Sequence, residues 1–167
     1  MGELGDPARL AALERLDLLE AKPDAGFDRY TDLAAELLNA PVALVSLVDT
    51  ERQAFLSRQS AALPALDGID ETPLSYSFCQ HAVRKKAPLV IPDARVDPLV
   101  KDNPAIEEFG LVAYAGAPII TREEEALGTL CVLDSEPRDW TADQVKTLTD
   151  LAGAVASEIE LRAKMRW

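Results

Sequence analysis

The chain has 167 residues, 48% of them apolar and 28% charged, the balance of a globular chain long enough to bury a core. Its 29 acidic against 17 basic side chains leave a formal net charge of −12, which argues against nucleic-acid and anionic-membrane partners because phosphates are repelled. No apolar run approaches the ~20 residues that cross a bilayer, and two cysteines, Cys79 and Cys131, make no disulfide framework, so a reducing cytoplasm is the expected setting.

In chain order, Asp6-Pro7 reads as an N-cap and first helical position, where proline's missing N–H costs nothing. Leu10, Leu13, Leu16 and Leu19 follow at spacing three and predict a helix over 6–21. A second helix is predicted over roughly 25–38. Asp24 is its candidate cap, and Phe27, Tyr30, Leu33, Ala34, Leu37 and Leu38 recur at the helical period. Pro41 forbids its continuation.

The period then changes to two. Val42 to Val48 is β-branched and apolar on both faces, the pattern of a central strand covered on both sides. Asp49 to Arg52 is a turn, and Gln53 to Arg58 returns antiparallel. Residues 59–74, with two prolines and a glycine, read as a loop. Ser77-Phe78-Cys79-Gln80 has capping-box spacing and opens a short helix that runs to the bases Arg84, Lys85 and Lys86. Leu89 to Ile91 is a short strand, and 92–108 a loop or short helical turns. Leu111 to Ile120 and Ala126 to Asp134 form a hairpin across an acidic turn. Thr141-Ala142-Asp143-Gln144 is a second capping box opening the longest helix, 141–167. Val145, Leu148, Ala152, Val155 and Ile159 make a heptad seam along it, which runs on to Arg162 and Arg166. The chain stops at Trp167 without a cap, which suggests a dimer or a piece of a longer protein. Strand pairs joined by short turns predict an α+β fold: an antiparallel sheet with the terminal helices on one face and a layer of loops and short helices on the other.

Several of these segments resemble the bacterial GAF domain family, in that family's order and over about residues 7–165. They are Phe27-Asp28, Pro41 to Asp49, Arg52, Ser77-Phe78-Cys79, Pro92-Asp93-Ala94, Tyr114 to Pro118 and Leu127 to Asp134. The resemblance implies a single domain with an antiparallel sheet of five to six strands and a pocket on the face away from the long helices. It also implies a sensory or regulatory role, with the last helix joining the domain to a kinase, cyclase or phosphatase type of output. Three specialised branches fit poorly. The Asn-Lys…Phe…Asp-Glu signature of cyclic-nucleotide binders is missing. Gln80 separates Cys79 from His81, where bilin-attaching members commonly have cysteine followed directly by histidine. The cysteine pattern of free methionine sulfoxide reductases does not map onto Cys79 and Cys131. No bilin, haem or metal is therefore expected, and no enzyme activity.

Six residues are the candidate ligand site: Phe78, Cys79, His81, Asp93, Tyr114 and Cys131. Cys79 sits at a helix N-terminus, where the dipole favours thiolate, although a small buried hydrophobe is the plainer reading. Cys131 alternates with Thr129 and Leu133 along a strand and reads as core. His81, the one histidine, points about 200° away from Cys79 on the helix, so the two cannot chelate one metal. Tyr114 precedes Ala115-Gly116-Ala117, small residues that let a short helix or a flat ligand ring approach the sheet. Asp93 and Asp97 have the types for acid/base work, but turn caps explain them more simply. No phosphate loop, nucleophile elbow or zinc signature occurs. Residues 41–86 are electrically balanced, five acids against five bases, whereas 87–125 carry eight against three, which favours a neutral or cationic ligand. The leading expectation is a sensory module that binds a small molecule or senses redox state and dimerises through helix 141–167. The alternatives are a protein–protein module with a side-chain-filled pocket, and a thiol-based redox switch or reductase.

Overall fold

The computed structural model describes residues 3–18, 22–60 and 63–165. Six strands form one open antiparallel sheet: β1 (Val42–Val48), β2 (Arg52–Gln59), β3 (Glu71–Pro73), β4 (Leu89–Ile91), β5 (Ala113–Ile120) and β6 (Ala126–Asp134), in the order β3-β2-β1-β6-β5-β4. Helices α1 (Pro7–Arg15), α2 (Asp28–Leu37) and α5 (Ala142–Lys164) cover one face. Helices α3 (Cys79–Lys85) and α4 (Pro104–Phe109) lie with the loops on the other. This is the α+β architecture that the order of elements predicts.

The sheet divides two cores. In β1, Ala43, Val45 and Leu47 face the long helices, while Val42, Leu44 and Val48 face the short-helix layer. That is why all seven residues are buried and why the run lacks polar alternation. Opposite Val45 and Ser46 the pairing with β2 slips by one residue, which inserts Leu56 as a bulge.

The helix ends follow from their caps. Asp6 accepts the Ala8 N–H at 3.0 Å, but α1 stops at Arg15 and not at residue 21. Asp17 turns left-handed at φ 60, and the Leu18 N–H closes back onto the Leu13 carbonyl at 2.8 Å, a Schellman stop that the leucine spacing does not register. Of the predicted stripe, Leu19 lies outside the described residues. Asp24 caps a 3-10 turn, Ala25–Phe27, that leads into α2. Asn39 at φ 49 ends α2, and the Arg138 guanidinium covers the freed carbonyls of Leu38 (2.7 Å) and Asn39 (3.1 Å).

The predicted loop 59–74 is more ordered than its composition suggests. It holds a 3-10 turn, Pro64–Leu66, and the short edge strand β3. β3 pairs with the outer side of β2 and ends on Pro73, a position where an edge strand tolerates proline. Thr141 and Gln144 complete both halves of their capping box. Residues Leu148, Ala152, Val155 and Ile159 of the α5 seam are buried in the helix-side core, against the sheet of their own chain. Leu161 and Met165 remain exposed. The predicted helix residues Arg166 and Trp167 lie outside the described residues.

Candidate functional site

On the sheet face away from α1, α2 and α5, the N-terminal end of α3 lies over β1, β5 and β6. Ser77 fixes that end. Its hydroxyl accepts the Gln80 N–H at 3.0 Å and donates to Gln53 Oε1 at 2.8 Å, and Gln53 Nε2 donates to Thr72 Oγ1 at 2.9 Å. Gln80 does not complete the predicted capping box. The Ser77 N–H already donates to the Leu74 carbonyl, so the Gln80 amide turns to the carbonyls of Leu74 and Ser77 instead. The first residue of α3, Cys79, is thereby held beneath the helix against the sheet and is 3% exposed.

Around its sulfur the sheet presents three hydroxyls. Thr129 Oγ1 donates to Cys79 Sγ at 3.0 Å, Ser46 Oγ at 3.1 Å and Tyr114 Oη at 3.3 Å. The Cys131 sulfur stands 3.9 Å away. Phe78 packs edge-on against Tyr114, with ring centroids 5.4 Å apart. Gly116 makes room for this arrangement. A Cβ there would lie 2.1 Å from Tyr114 Oη, so the tyrosine hydroxyl fills the space that a side chain would occupy. Ala115 and Ala117 point to the opposite face, into the helix-side core. The small-residue run thus splits between a packed helix on one side and a tyrosine hydroxyl on the other.

Burial alone pushes the Cys79 thiol up. Hydrogen bonds with Cys131, Ser46, Thr129 and Tyr114 outweigh it and bring the thiol down to about 6. The hydroxyls of neighbouring strands, not the helix end alone, therefore favour thiolate. Cys131 moves the other way, raised by burial and by its neighbour Cys79, and Tyr114 is raised by burial and by the charges of the two sulfurs. One sulfur is set to lose its proton while its partners keep theirs.

Phe78, Cys79, Tyr114 and Cys131 line one cavity of about 30 Å³, together with Leu44, Phe55 and Phe109. His81 and Asp93 are not in its lining. His81 lies half-buried on α3, its pKa lowered by burial and by Arg84 against the pull of Asp97. Asp93 pairs with Arg95 at 2.8 Å and 2.9 Å, and Asp97 caps the Leu99 N–H at 2.9 Å. Ser46 and Thr129 also belong to the cluster, beyond the six candidate residues. Their signal is a lone hydroxyl inside each of two apolar strands, Thr129 on the same face as Cys131. Among the described residues, no group of three or more His, Cys, Asp or Glu side chains is placed to hold a metal ion, and no helix is long and apolar enough to cross a membrane.

An open six-stranded antiparallel sheet, with terminal helices on one face and a small cavity under short helices on the other, is the architecture of the GAF fold. The chain belongs to the GAF domain family, whose model matches residues 22–159. It is 38% identical over 154 residues to a cyclic di-GMP phosphodiesterase of Pseudomonas aeruginosa, covering 91% of this chain and 25% of that protein. The chain thus spans about a quarter of that relative's length. The GAF domain of a phosphoenolpyruvate-protein phosphotransferase from Coxiella burnetii has the same fold, with TM-score 0.68 and 21% identity over 95% of this chain and 97% of its own. So does the blue-light absorbing form of the PixJ GAF domain of Thermosynechococcus elongatus, with TM-score 0.68 and 17% identity over 97% and 93%.

Proposed function

We propose that this GAF domain is a cytoplasmic, non-catalytic input module. It registers a small molecule or a redox change at the α3 cavity and passes the change through α5 to a signalling output. The observation that carries this reading is the shared β5–β6 hairpin. Tyr114 and Cys131 face the cavity, while Ala115, Ala117, Leu130 and Val132 of the same strands belong to the core that α5 completes. A change in how α3 sits on Tyr114 and Cys131 is therefore felt, through the adjacent residues of each strand, by the helix on the other side. The similarity to a cyclic di-GMP phosphodiesterase makes an enzyme of cyclic-dinucleotide turnover the favoured output. Phe78, Cys79, Tyr114 and Cys131 form the sensing surface, and His81 and Asp93 stand outside the cavity lining. The excess of acid over residues 87–125 favours a neutral or cationic ligand.

A second reading has its own observation. The cavity of about 30 Å³ exceeds the ~10–15 Å³ that one water needs but falls far short of a metabolite. The domain could thus serve as a protein–protein or dimerisation module with its pocket filled by its own side chains. With the α5 seam inside the core, a homodimer would use the outer side of the helix near Leu161 and Met165, which are 54% and 74% exposed. A metabolite thermal-shift screen combined with hydrogen exchange separates the two. The sensory reading expects a ligand that raises the unfolding temperature and changes exchange over Ala142–Lys164. If no compound stabilises the domain, and cavity substitutions leave α5 exchange unaltered, the filled-pocket reading replaces it.

A further inference from the structure

We infer that Cys79 and Cys131 form a dithiol that a small hydroperoxide oxidises to an intramolecular disulfide, a redox modification site inside the sheet. The inference stands apart from the sensory reading, because the bond can form whether or not α5 responds. Three features converge on it. The sulfurs are 3.9 Å apart, the only two in the chain's cysteines, and each is enclosed by the same core. Three hydroxyls donate to one of them, Cys79. A neutral thiol is a weak acceptor, so this many donors fit the ionised, nucleophilic sulfur. The cavity touches both sulfurs and is of a size for hydrogen peroxide, not for glutathione or another bulky disulfide.

The chemistry balances in two steps. The Cys79 thiolate attacks one peroxide oxygen; an S–O bond forms, the O–O bond breaks, and the departing hydroxide takes up the equivalent of the proton that Cys79 released on ionising and leaves as water. Cys79 is oxidised by two electrons to the sulfenic acid and the peroxide is reduced. Cys131 sulfur then attacks Cys79 sulfur; the S–S bond forms, the S–O bond breaks, and the hydroxyl leaves as water with the Cys131 proton. With hydrogen peroxide the net change is two thiols and one peroxide to one disulfide and two waters; an organic hydroperoxide would leave one water and one alcohol. Closing from 3.9 Å to a bond of about 2.05 Å requires movement. Cys131 is held between β1 and β5 by pairing on both sides, whereas Cys79 is the first residue of a seven-residue helix, so α3 is the part that yields. Bond formation also removes the acceptor of the Ser46, Thr129 and Tyr114 hydroxyls, and α3 repacks around the donors released.

The test treats the full chain with hydrogen peroxide, alkylates it under denaturing conditions and measures its intact mass. Wild type is expected to lose two hydrogens and to take up no alkylating reagent. A non-reducing peptide map should join Cys79 to Cys131, and dithiothreitol should reverse the change. Cys131→Ala is expected to stop at one added oxygen on Cys79, trapped by dimedone, and Cys79→Ala to remain unmodified. Tyr114→Phe keeps the ring against Phe78 and removes one donor to the sulfur; it should slow disulfide formation about tenfold, the worth of a hydrogen bond to a charged group. The wild-type map decides the matter even if an alanine variant fails to fold. Both thiols remaining alkylatable at a peroxide dose that oxidises the urea-unfolded chain would overturn the inference. So would sulfinic acid without a crosslink, or a disulfide between two chains.

Discussion

The Cys79 sulfur has neighbours from three different strands. Because the Cys79 thiol is depressed to about 6 from an ordinary value near 8.5, ionisation of this group stabilises the folded state. That contribution is fully present above about pH 8.5 and is lost as pH falls through about 6. Cys131 and Tyr114 are raised instead, so their effect has the opposite sign and weakens the fold only in alkali. Between about pH 8.5 and 6, wild type should therefore lose stability in denaturant titrations more steeply than Cys79→Ala. The thiolate ultraviolet band should titrate with the lower midpoint and vanish in that variant. Parallel stability profiles for the two proteins would mean that Cys79 stays protonated. Gly116→Ala tests the same cluster from the sheet side. Its Cβ would sit 2.1 Å from Tyr114 Oη, forcing the tyrosine from the sulfur, and it should cost about 1–3 kcal/mol as overpacking does while raising the thiolate midpoint. The sequence exposed Cys79, Cys131, Tyr114 and Phe78 as candidates through residue type and local spacing. Ser46 and Thr129 stayed hidden because a serine or threonine in an apolar strand looks like an ordinary core substitution until the partner 33 or 50 positions away is seen.

At the scale of elements, α5 is fastened at both ends by contacts that local patterns reveal only in part. Its start is the capping box at Thr141 and Gln144, legible because the bonds span three residues. Its end is held by Arg162, which bonds Asp24 Oδ2 at 2.6 Å and Glu158 Oε2 at 2.9 Å and lies 4.5 Å over the Phe27 ring. The guanidinium occupies the space above Gly26, where a Cβ would fall 1.7 Å from its Nη2. Arg162→Ala should cost about 1 kcal/mol or less, as a part-exposed ion pair with a cation–π contact does. Hydrogen exchange should rise in the last two turns of α5 and in the 3-10 turn over Ala25–Phe27. Unchanged exchange in both would show that Leu148 to Ile159 alone hold the helix. The early end of α1 belongs to the same scale. Leucine spacing continues through Leu16, but Asp17 at φ 60 breaks the helix, because Leu18 gains more by burial in the core than by extending an exposed turn.

For the whole molecule, the deciding fact is that one sheet separates two cores and that α5 belongs to one of them. A heptad seam read from sequence is ambiguous between a partner helix and the chain's own sheet, since both demand an apolar stripe. Here the sheet takes it. Leu148→Ala should therefore destabilise the isolated chain by about 2–5 kcal/mol, as cavity-forming core substitutions do, and do so independently of protein concentration. Leu161→Glu on the exposed side should leave the unfolding midpoint nearly unchanged and weaken any association between copies in sedimentation. A concentration-dependent loss from Leu148→Ala would restore the seam to a dimer interface. By itself, the sequence determined most of the elements, though not the edge strand β3 or the end of α1, together with most of their caps and the two-sided burial of β1, because each depends on residues close along the chain. The overall charge of −12 also needed no structure. Only the tertiary structure decided that three hydroxyls and a second sulfur converge on Cys79, that Gly116 is small for the sake of a tyrosine hydroxyl, and that the α5 seam is spent within the chain. Those outcomes depend on strand order and register, which bring together residues tens of positions apart, and no local period encodes them.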